Sequence, residues 1–122
     1  MPQYIIAHDL GTSGDKATLF QTDGTLVTSI TESYEVHFFG NQCAQQDPDD
    51  WWNAVCNSTK KILAYVADPG DVIAVSFSAQ MQGCLIVDRE GMPIRPAMIW
   101  ADHRARKEQE RLRDLIGEDE IY

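Results

Sequence analysis

Asp9-Leu10-Gly11-Thr12-Ser13-Gly14-Asp15-Lys16 is the stretch that decides the fold of this chain, and apolar runs flank it at residues 4–7 and 17–20. Short β-type runs joined by glycine, hydroxyl and aspartate residues are typical of a tight hairpin. We therefore predict antiparallel strands over residues 4–10 and 15–21. A Walker A loop or a dinucleotide fingerprint would lead into a helix instead, so the stretch matches neither of these phosphate-binding motifs.

The tip of the predicted hairpin carries residue types that bind phosphate. Glycine lets backbone N–H groups approach an anion, hydroxyl groups donate to phosphate oxygens, and a lysine adds positive charge. Because Asp9 would repel phosphate, we expect it to hold Mg²⁺ through water. The predicted nucleotide-binding residues are Asp9, Gly11, Thr12, Ser13 and Lys16. The alternative is an ordinary glycine-rich turn, since turns favour these residues for local reasons.

Composition limits the class of protein. A chain of 122 residues has room for one modest domain, and its formal net charge of -9 argues against nucleic acid or an anionic membrane as partner. The three cysteines, like the histidines, lack the spacing of metal ligands, so we expect reduced thiols. No apolar run has the length of a membrane span, and the N-terminus is not typical of a signal peptide. These features predict a cytoplasmic protein.

Beyond the hairpin, the pattern predicts a third strand over Thr25–Tyr34, which makes a three-strand meander, and less regular structure over residues 36–43. Asp47 can cap a helix that begins at Pro48 and is predicted to end near residue 67. The expected buried face of this helix is Trp52, Val55, Cys56, Thr59, Ile62, Leu63 and Val66. We interpret its two tryptophans as residues that pack in the core or between domains, with a ligand platform as the alternative.

The second half of the chain begins with an apolar run, Val72–Ser78, that predicts a buried strand parallel to the first one. A hairpin over residues 84–94, an extended run over residues 96–100 and a polar helix over residues 101–116 follow. Gly117 is suited to cap the end of that helix.

The loop Ser78–Gly83 follows the predicted buried strand, and ligands of α/β sheets bind beyond the carboxyl ends of such strands. The amide groups of Gln80 and Gln82 offer the donors and acceptors that recognise sugar hydroxyl groups. Trp100 could form an apolar wall for the C–H face of a carbohydrate. The alternatives are a solvated loop for the glutamines and a helix N-cap for Asp102.

Four motifs, taken together, resemble the N-terminal part of the FGGY carbohydrate kinases, most closely their xylulokinase-like branch. They are Asp9–Ser13 with Lys16, Gln46–Trp52, Ser78–Gly83 and Pro93–Arg104. The resemblance implies an α/β fold that is actin-like and ribonuclease H-like, with a three-strand meander, a helix, further strands, a hairpin and a helix. It also implies that residues 1–122 are the N-terminal part of the first kinase domain, without the rest of that domain or the second domain.

The resemblance further implies a mechanism. Thr12, Ser13 and Lys16 would contact the phosphates of ATP, and Asp9 would lie near Mg²⁺. The implied sugar-binding residues are Gln80, Met81, Gln82, Trp100 and Asp102. Because the family's general base is an aspartate far downstream, we expect it beyond Tyr122, and we expect the chain alone not to phosphorylate a sugar.

Three functions remain open at this point. The first is ATP-dependent phosphorylation of a ketopentose such as D-xylulose. The second is phosphorylation of another polyol or sugar acid, such as glycerol or gluconate, because Gln82 stands where xylulokinases typically have histidine. The third is a non-catalytic, actin-like module that binds a nucleotide. A truncated sheet would also leave apolar surface uncovered, which favours self-association, and a homodimer is the expected assembly.

Overall fold

Two β-sheets and two α-helices make up residues 1–121, which are the residues that the computed structural model describes. The strands are β1 (Tyr4–Leu10), β2 (Gly14–Gln21), β3 (Leu26–Ser33), β4 (His37–Phe39), β5 (Cys43–Gln46), β6 (Val72–Ala79) and β7 (Ala97–Met98). The helices are α1 (Pro48–Leu63) and α2 (Arg106–Ile116), with short 3₁₀ helices at Pro69–Asp71 and Glu118–Glu120. Tyr122 lies outside the described residues.

The larger sheet has four strands in the order β3-β2-β1-β6. Strands β1, β2 and β3 are antiparallel neighbours, and β6 runs parallel to β1. The predicted hairpin, meander and parallel strand are therefore confirmed. Helix α1 packs on one face of this sheet, where Ile6, Leu19 and Ile62 lie at the centre of the hydrophobic core.

Local sequence sets the start of α1. The Asp47 carboxylate accepts a hydrogen bond from the N–H of Asp49 at 2.9 Å, and Pro48 occupies the first turn, as predicted. The helix ends at Leu63, earlier than the predicted residue 67. The next residue, Ala64, still donates its N–H to carbonyl groups of the last helical turn.

The predicted buried face of α1 is right in part. Val55, Ile62 and, just after the helix, Val66 are buried as predicted, but Ala54 and Ser58 complete the buried face. Trp52 does not pack in the core, since this residue is 66% exposed, and its packing against another domain stays a prediction. Each helical residue advances by about 100°, so the buried face is rotated by roughly one residue step from the predicted one. The rotation brings the hydroxyl group of Ser58 to a buried carboxylate in β2, which a purely apolar pattern cannot reveal.

The prediction that β6 is a buried strand is wrong. This strand has the predicted parallel partner, but it forms the edge of the sheet and is exposed from Ile73 to Ala79. The side chains of Val75 and Phe77 are 52% and 57% exposed. Helix α1 packs against β1, β2 and β3, which leaves the apolar side chains of β6 uncovered within residues 1–121.

A second sheet has the order β4-β5-β7. Strand β4 lies where less regular structure was expected, whereas β7 lies within the predicted extended run of residues 96–100. Residues 84–94 form a turn with a bridge between Val87 and Pro93, so the predicted second hairpin has the right pairing but no regular strands. The main chain of Cys84 also pairs with that of Met98 beside β7. The turn therefore packs its backbone onto the second sheet.

Helix α2 begins at Arg106, later than the predicted residue 101, and residues 101–105 form turns before it. The alternative that Asp102 caps this helix is wrong, because the capping position is Ala105 and no side chain bonds there. Gly117 ends the helix as predicted, with a φ of 90° and its N–H bonded to the Arg113 carbonyl. Neither helix of residues 1–121 combines the length and the apolar character of a membrane span.

Candidate functional site

Three consecutive carbonyl groups of the hairpin tip point into the protein, and each accepts a hydrogen bond. The Tyr34 hydroxyl group donates to the Gly11 carbonyl at 2.5 Å, Gln46 Nε2 donates to the Thr12 carbonyl at 2.7 Å, and the Tyr34 N–H donates to the Ser13 carbonyl at 3.1 Å. Across a trans peptide, the C=O of one residue and the N–H of the next point in opposite directions. The N–H groups of residues 12–14 therefore face away from these donors, which is the orientation that phosphate binding requires.

Tyr34 keeps its donor role over a wide pH range. Burial, with a smaller contribution from the charges of Asp15 and Asp9, raises the pKa of Tyr34 to about 12. The phenol is consequently protonated at neutral pH and donates to Gly11. This role of Tyr34 was not predicted from the sequence, where the residue is only the end of the third predicted strand.

The close pairing of β2 and β3 at the tip requires glycine at position 14. A Cβ atom at this position would lie 2.5 Å from the Glu32 carbonyl oxygen and 3.0 Å from the Ser33 Cα of the neighbouring strand. Only a residue without a side chain permits β2 and β3 to pair this closely at the tip. Gly11 has more space, because its nearest neighbour would be the Gly14 carbonyl oxygen at 3.6 Å.

The loop that follows β6 is bonded to the hairpin of β1 and β2, which is the predicted phosphate hairpin. The N–H of Gln80 donates to the Leu10 carbonyl at 2.8 Å, and the Gln80 side chain donates to Gln46 at 2.8 Å. Met81 is 77% exposed, and Gln82 is exposed with a φ of 62°, in the left-handed region that non-glycine residues rarely adopt. Of the two glutamines predicted to contact a sugar, Gln80 is therefore held from within the protein and Gln82 faces outward.

Trp100 brings the two predicted binding regions together. Its indole Nε1 donates to the Thr12 hydroxyl group at 2.9 Å, while half of the side chain stays exposed. Trp100 therefore lies beside the predicted phosphate-binding tip, at the end of the larger sheet where Gln80 bonds to Leu10. A cleft of about 340 Å³ with a mainly apolar lining borders this junction, next to Tyr34, Gln80 and Gln82.

Asp9 and Lys16 are exposed and lie opposite each other in the β1–β2 pairing, while Ser78 lies opposite Asp9 on β6. Paired residues project to the same face of a sheet, so a carboxylate, an amine and a hydroxyl group share the face that α1 leaves free. Within residues 1–121, no group of three His, Cys, Asp or Glu side chains is arranged to hold a metal. The donor set fits Mg²⁺ held by one carboxylate, water and phosphate oxygens.

Both carboxylate oxygens of Asp102 accept hydrogen bonds from groups of the protein itself. Its Oδ2 accepts from the Ala44 N–H at 2.8 Å and from Arg104 Nη2 at 2.6 Å, and its Oδ1 accepts from Arg104 Nε at 2.9 Å. The Arg104 side-chain hydrogen bonds lower the pKa of Asp102 to about 2, with the Ala44 N–H adding to the effect. Asp102 is therefore a charged anchor between residues 102–104 and β5, and its contact with a sugar stays a prediction.

His8, Asp15 and Ser58 form a buried polar cluster under α1 that was not predicted from the sequence. The Asp15 Oδ2 atom accepts from the Ser58 hydroxyl group at 2.7 Å and pairs with His8 Nδ1 at 2.8 Å. The hydroxyl group next to His8 Nε2, at 3.3 Å, is that of Thr59, and it donates its own hydrogen to the Val55 carbonyl at 2.7 Å. Ser58 faces the carboxylate, so neither hydroxyl group of the cluster donates to the imidazole as in a nucleophilic triad. No sequence spacing indicates this cluster, because His8 and Asp15 sit on different strands and Ser58 on a helix.

The model for the FGGY family of carbohydrate kinases, N-terminal domain, matches residues 4–122. This chain belongs to that family. A xylulose kinase of Staphylococcus xylosus is 36% identical over 114 residues, which are 93% of this chain and 23% of that protein.

Solved structures of FGGY kinases share the fold. A gluconate kinase from Lactobacillus acidophilus superposes on all of this chain with a TM-score of 0.92 at 23% identity, over 24% of its own length. A xylulose kinase from the same organism superposes on 98% of the chain with a TM-score of 0.91 at 23% identity, over 24% of its length. The predicted actin-like fold is thereby confirmed, and the chain spans about a quarter of the length of these FGGY kinases.

Proposed function

We propose that the protein carrying this chain transfers the γ-phosphoryl group of ATP to a hydroxyl group of a sugar, and that the sugar is a ketopentose such as D-xylulose. The observation that carries the proposal is the 2.9 Å contact between the Trp100 indole and the Thr12 hydroxyl group. It places an aromatic side chain suited to a sugar ring directly beside a hairpin suited to phosphate. A kinase needs these two surfaces side by side, whereas a binding module needs only the first.

Each residue of the hairpin has a role in this proposal. The N–H groups of residues 12–14 and the Ser13 hydroxyl group donate to phosphate oxygens, and Lys16 neutralises phosphate charge. Asp9 would hold Mg²⁺ through water, and a bound Mg²⁺ would supply neutralisation of the charge that develops on the transferred group. Catalysis is then largely a matter of positioning and electrostatics.

Met81, Gln82 and Trp100 form the sugar side. Their exposure leaves them free to contact a ligand, and the Gln82 amide offers both a donor and an acceptor. Gln82 stands in place of the usual histidine, which keeps a sugar acid as the second candidate substrate. Because the general base is expected beyond Tyr122, the chain of 122 residues alone should give no turnover.

The test is ADP release by the full-length protein with Mg-ATP and xylulose, ribulose, glycerol or gluconate. Turnover on one ketopentose supports the proposal, turnover on gluconate alone moves it to the second candidate, and ATP binding without turnover supports a binding module. Lys16→Met should lower kcat/KM by about 10²-fold or more, as expected for a lost charge-stabilising donor. The matched control is Lys60→Met, an exposed lysine on α1, which should leave turnover unchanged.

A further inference from the structure

Gln46 is fully buried at the end of β5, and its side-chain amide uses its whole hydrogen-bonding capacity. Nε2 donates to the carbonyl groups of Thr12 at 2.7 Å and Glu35 at 3.3 Å. Oε1 accepts from Trp51 Nε1 at 3.1 Å and from Gln80 Nε2 at 2.8 Å. A primary amide offers two donor hydrogens and two acceptor lone pairs, so all four are matched.

The hydrogen bond from Trp51 determines the orientation of the Gln46 side-chain amide. An indole N–H can only donate, so the atom of Gln46 that faces it must be the oxygen. Nε2 then faces the two carbonyl groups, which can only accept. Gln80 must in turn present its own Nε2 to Gln46, which leaves the buried Gln80 Oε1 without a partner within residues 1–121.

We infer that Gln46 is a positioning residue, which ties the phosphate hairpin to the sugar loop so that donor phosphate and acceptor hydroxyl group keep a fixed separation. The inference rests on the proposed function for its kinetic consequence. Gln46 bonds the backbone of Thr12 on one side and the side chain of Gln80 on the other, and it touches neither exposed binding surface. Strand β5 and the capped start of α1 hold it in place, so its two bonds transmit a rigid position.

Loss of this tie should reduce the rate of transfer more than the binding of either substrate. A misplacement of about 1 Å between reacting groups costs on the order of 10²-fold in rate. Gln46→Met keeps the length of the side chain and removes all four hydrogen bonds. We expect kcat to fall by roughly 10²-fold, with the KM of ATP and of the sugar within about threefold of wild type.

Gln46→Glu separates the two halves of the network. The introduced carboxylate can still accept from Trp51 and Gln80, but it cannot donate to Thr12 or Glu35 until it is protonated. Its kcat should therefore recover, relative to wild type, as the pH is lowered within the range where both proteins stay folded. A residue that only fills space would give no such change in the pH profile.

Thr18→Val is the control for lost stability, because it also removes a side-chain hydrogen bond of the larger sheet, the part-buried one to Ser29, but lies away from the hairpin tip. Amide hydrogen exchange supplies a readout that does not require turnover. Gln46→Met and Gln80→Leu should each accelerate exchange at residues 11–14, and Gln46→Met should also do so at residues 80–83. Thr18→Val should do neither.

Unchanged exchange at the hairpin tip in Gln80→Leu, or a fall in kcat no larger than that of Thr18→Val, would overturn the inference. If the wild-type protein turns over no sugar, the proposed function fails, and the exchange pattern alone then decides whether Gln46 ties the two segments. Accelerated exchange at both segments supports the tie, and exchange confined to residues around Gln46 refutes it.

Discussion

Gly14→Ala offers a direct test of how the phosphate hairpin is built. The added methyl group would lie 2.5 Å from the Glu32 carbonyl oxygen and 3.2 Å from its carbonyl carbon, and both are backbone atoms that no rotamer change can move. Contact becomes ordinary at 3.4 Å, so β2 and β3 must part by roughly 1 Å at the tip. The adjacent hydrogen bond from the Tyr34 N–H to the Ser13 carbonyl, 3.1 Å long, would then break.

Two effects contribute to the loss of stability in Gly14→Ala. Overpacking of this kind costs about 1–3 kcal/mol, and a lost hydrogen bond adds about 1 kcal/mol. We therefore expect Gly14→Ala to lower the free energy of unfolding by roughly 2–4 kcal/mol. Gly11→Ala is the matched control in the same hairpin, because its methyl group would meet only the Gly14 carbonyl oxygen at an ordinary 3.6 Å. That change should be neutral or stabilising by up to about 1 kcal/mol.

Urea unfolding of the chain, followed by tryptophan fluorescence, measures both variants against wild type. The reasoning is refuted if Gly14→Ala lies within about 0.5 kcal/mol of wild type, a margin set by the error of extrapolation. It is also refuted if Gly11→Ala is as destabilising as Gly14→Ala, since the difference in backbone contact would then have no effect.

Two further predictions concern pH and assembly. Because the folded pKa of Tyr34 is raised from 10.0 to about 12, its contribution to stability is complete below pH 10 and is lost as the pH rises through 12. Urea unfolding between pH 9 and pH 12 should show this loss in wild type and not in Tyr34→Phe, and parallel curves would contradict it. Val75→Lys places a charge on the exposed edge strand β6, so it should shift the chain toward monomer in sedimentation. A wild-type chain that already sediments as a compact monomer would contradict the expected self-association.

The elements that sequence predicted well depend on interactions between near neighbours in the chain. The hairpin of β1 and β2 needs glycine and polar residues at its tip, and the start of α1 needs Asp47 and Pro48 in adjacent positions. The glycine that ends α2 needs only its own positive φ. Each of these signals lies within a few residues of the structure that it determines.

Burial was harder to predict, because hydrophobic periodicity does not reveal what covers a face. Trp52 lies on an apolar pattern yet points away from the sheet, since α1 turns Ser58 toward Asp15. Strand β6 is apolar along its length, and its exposure depends on which neighbours pack beside it.

Some features of the candidate site are likewise local in the sequence, and others depend on the tertiary structure. Sequence by itself determined the residue types that can bind phosphate and a polyol, at the hairpin tip and in the loop after β6, because the chemistry of glycine, hydroxyl and amide groups is local. Only the tertiary structure decided that Trp100 reaches Thr12 and that Gln46 lies between Thr12 and Gln80. Those contacts join segments far apart in the chain, and their hydrogen bonds exist only after three strands and a helix have set the backbone in place.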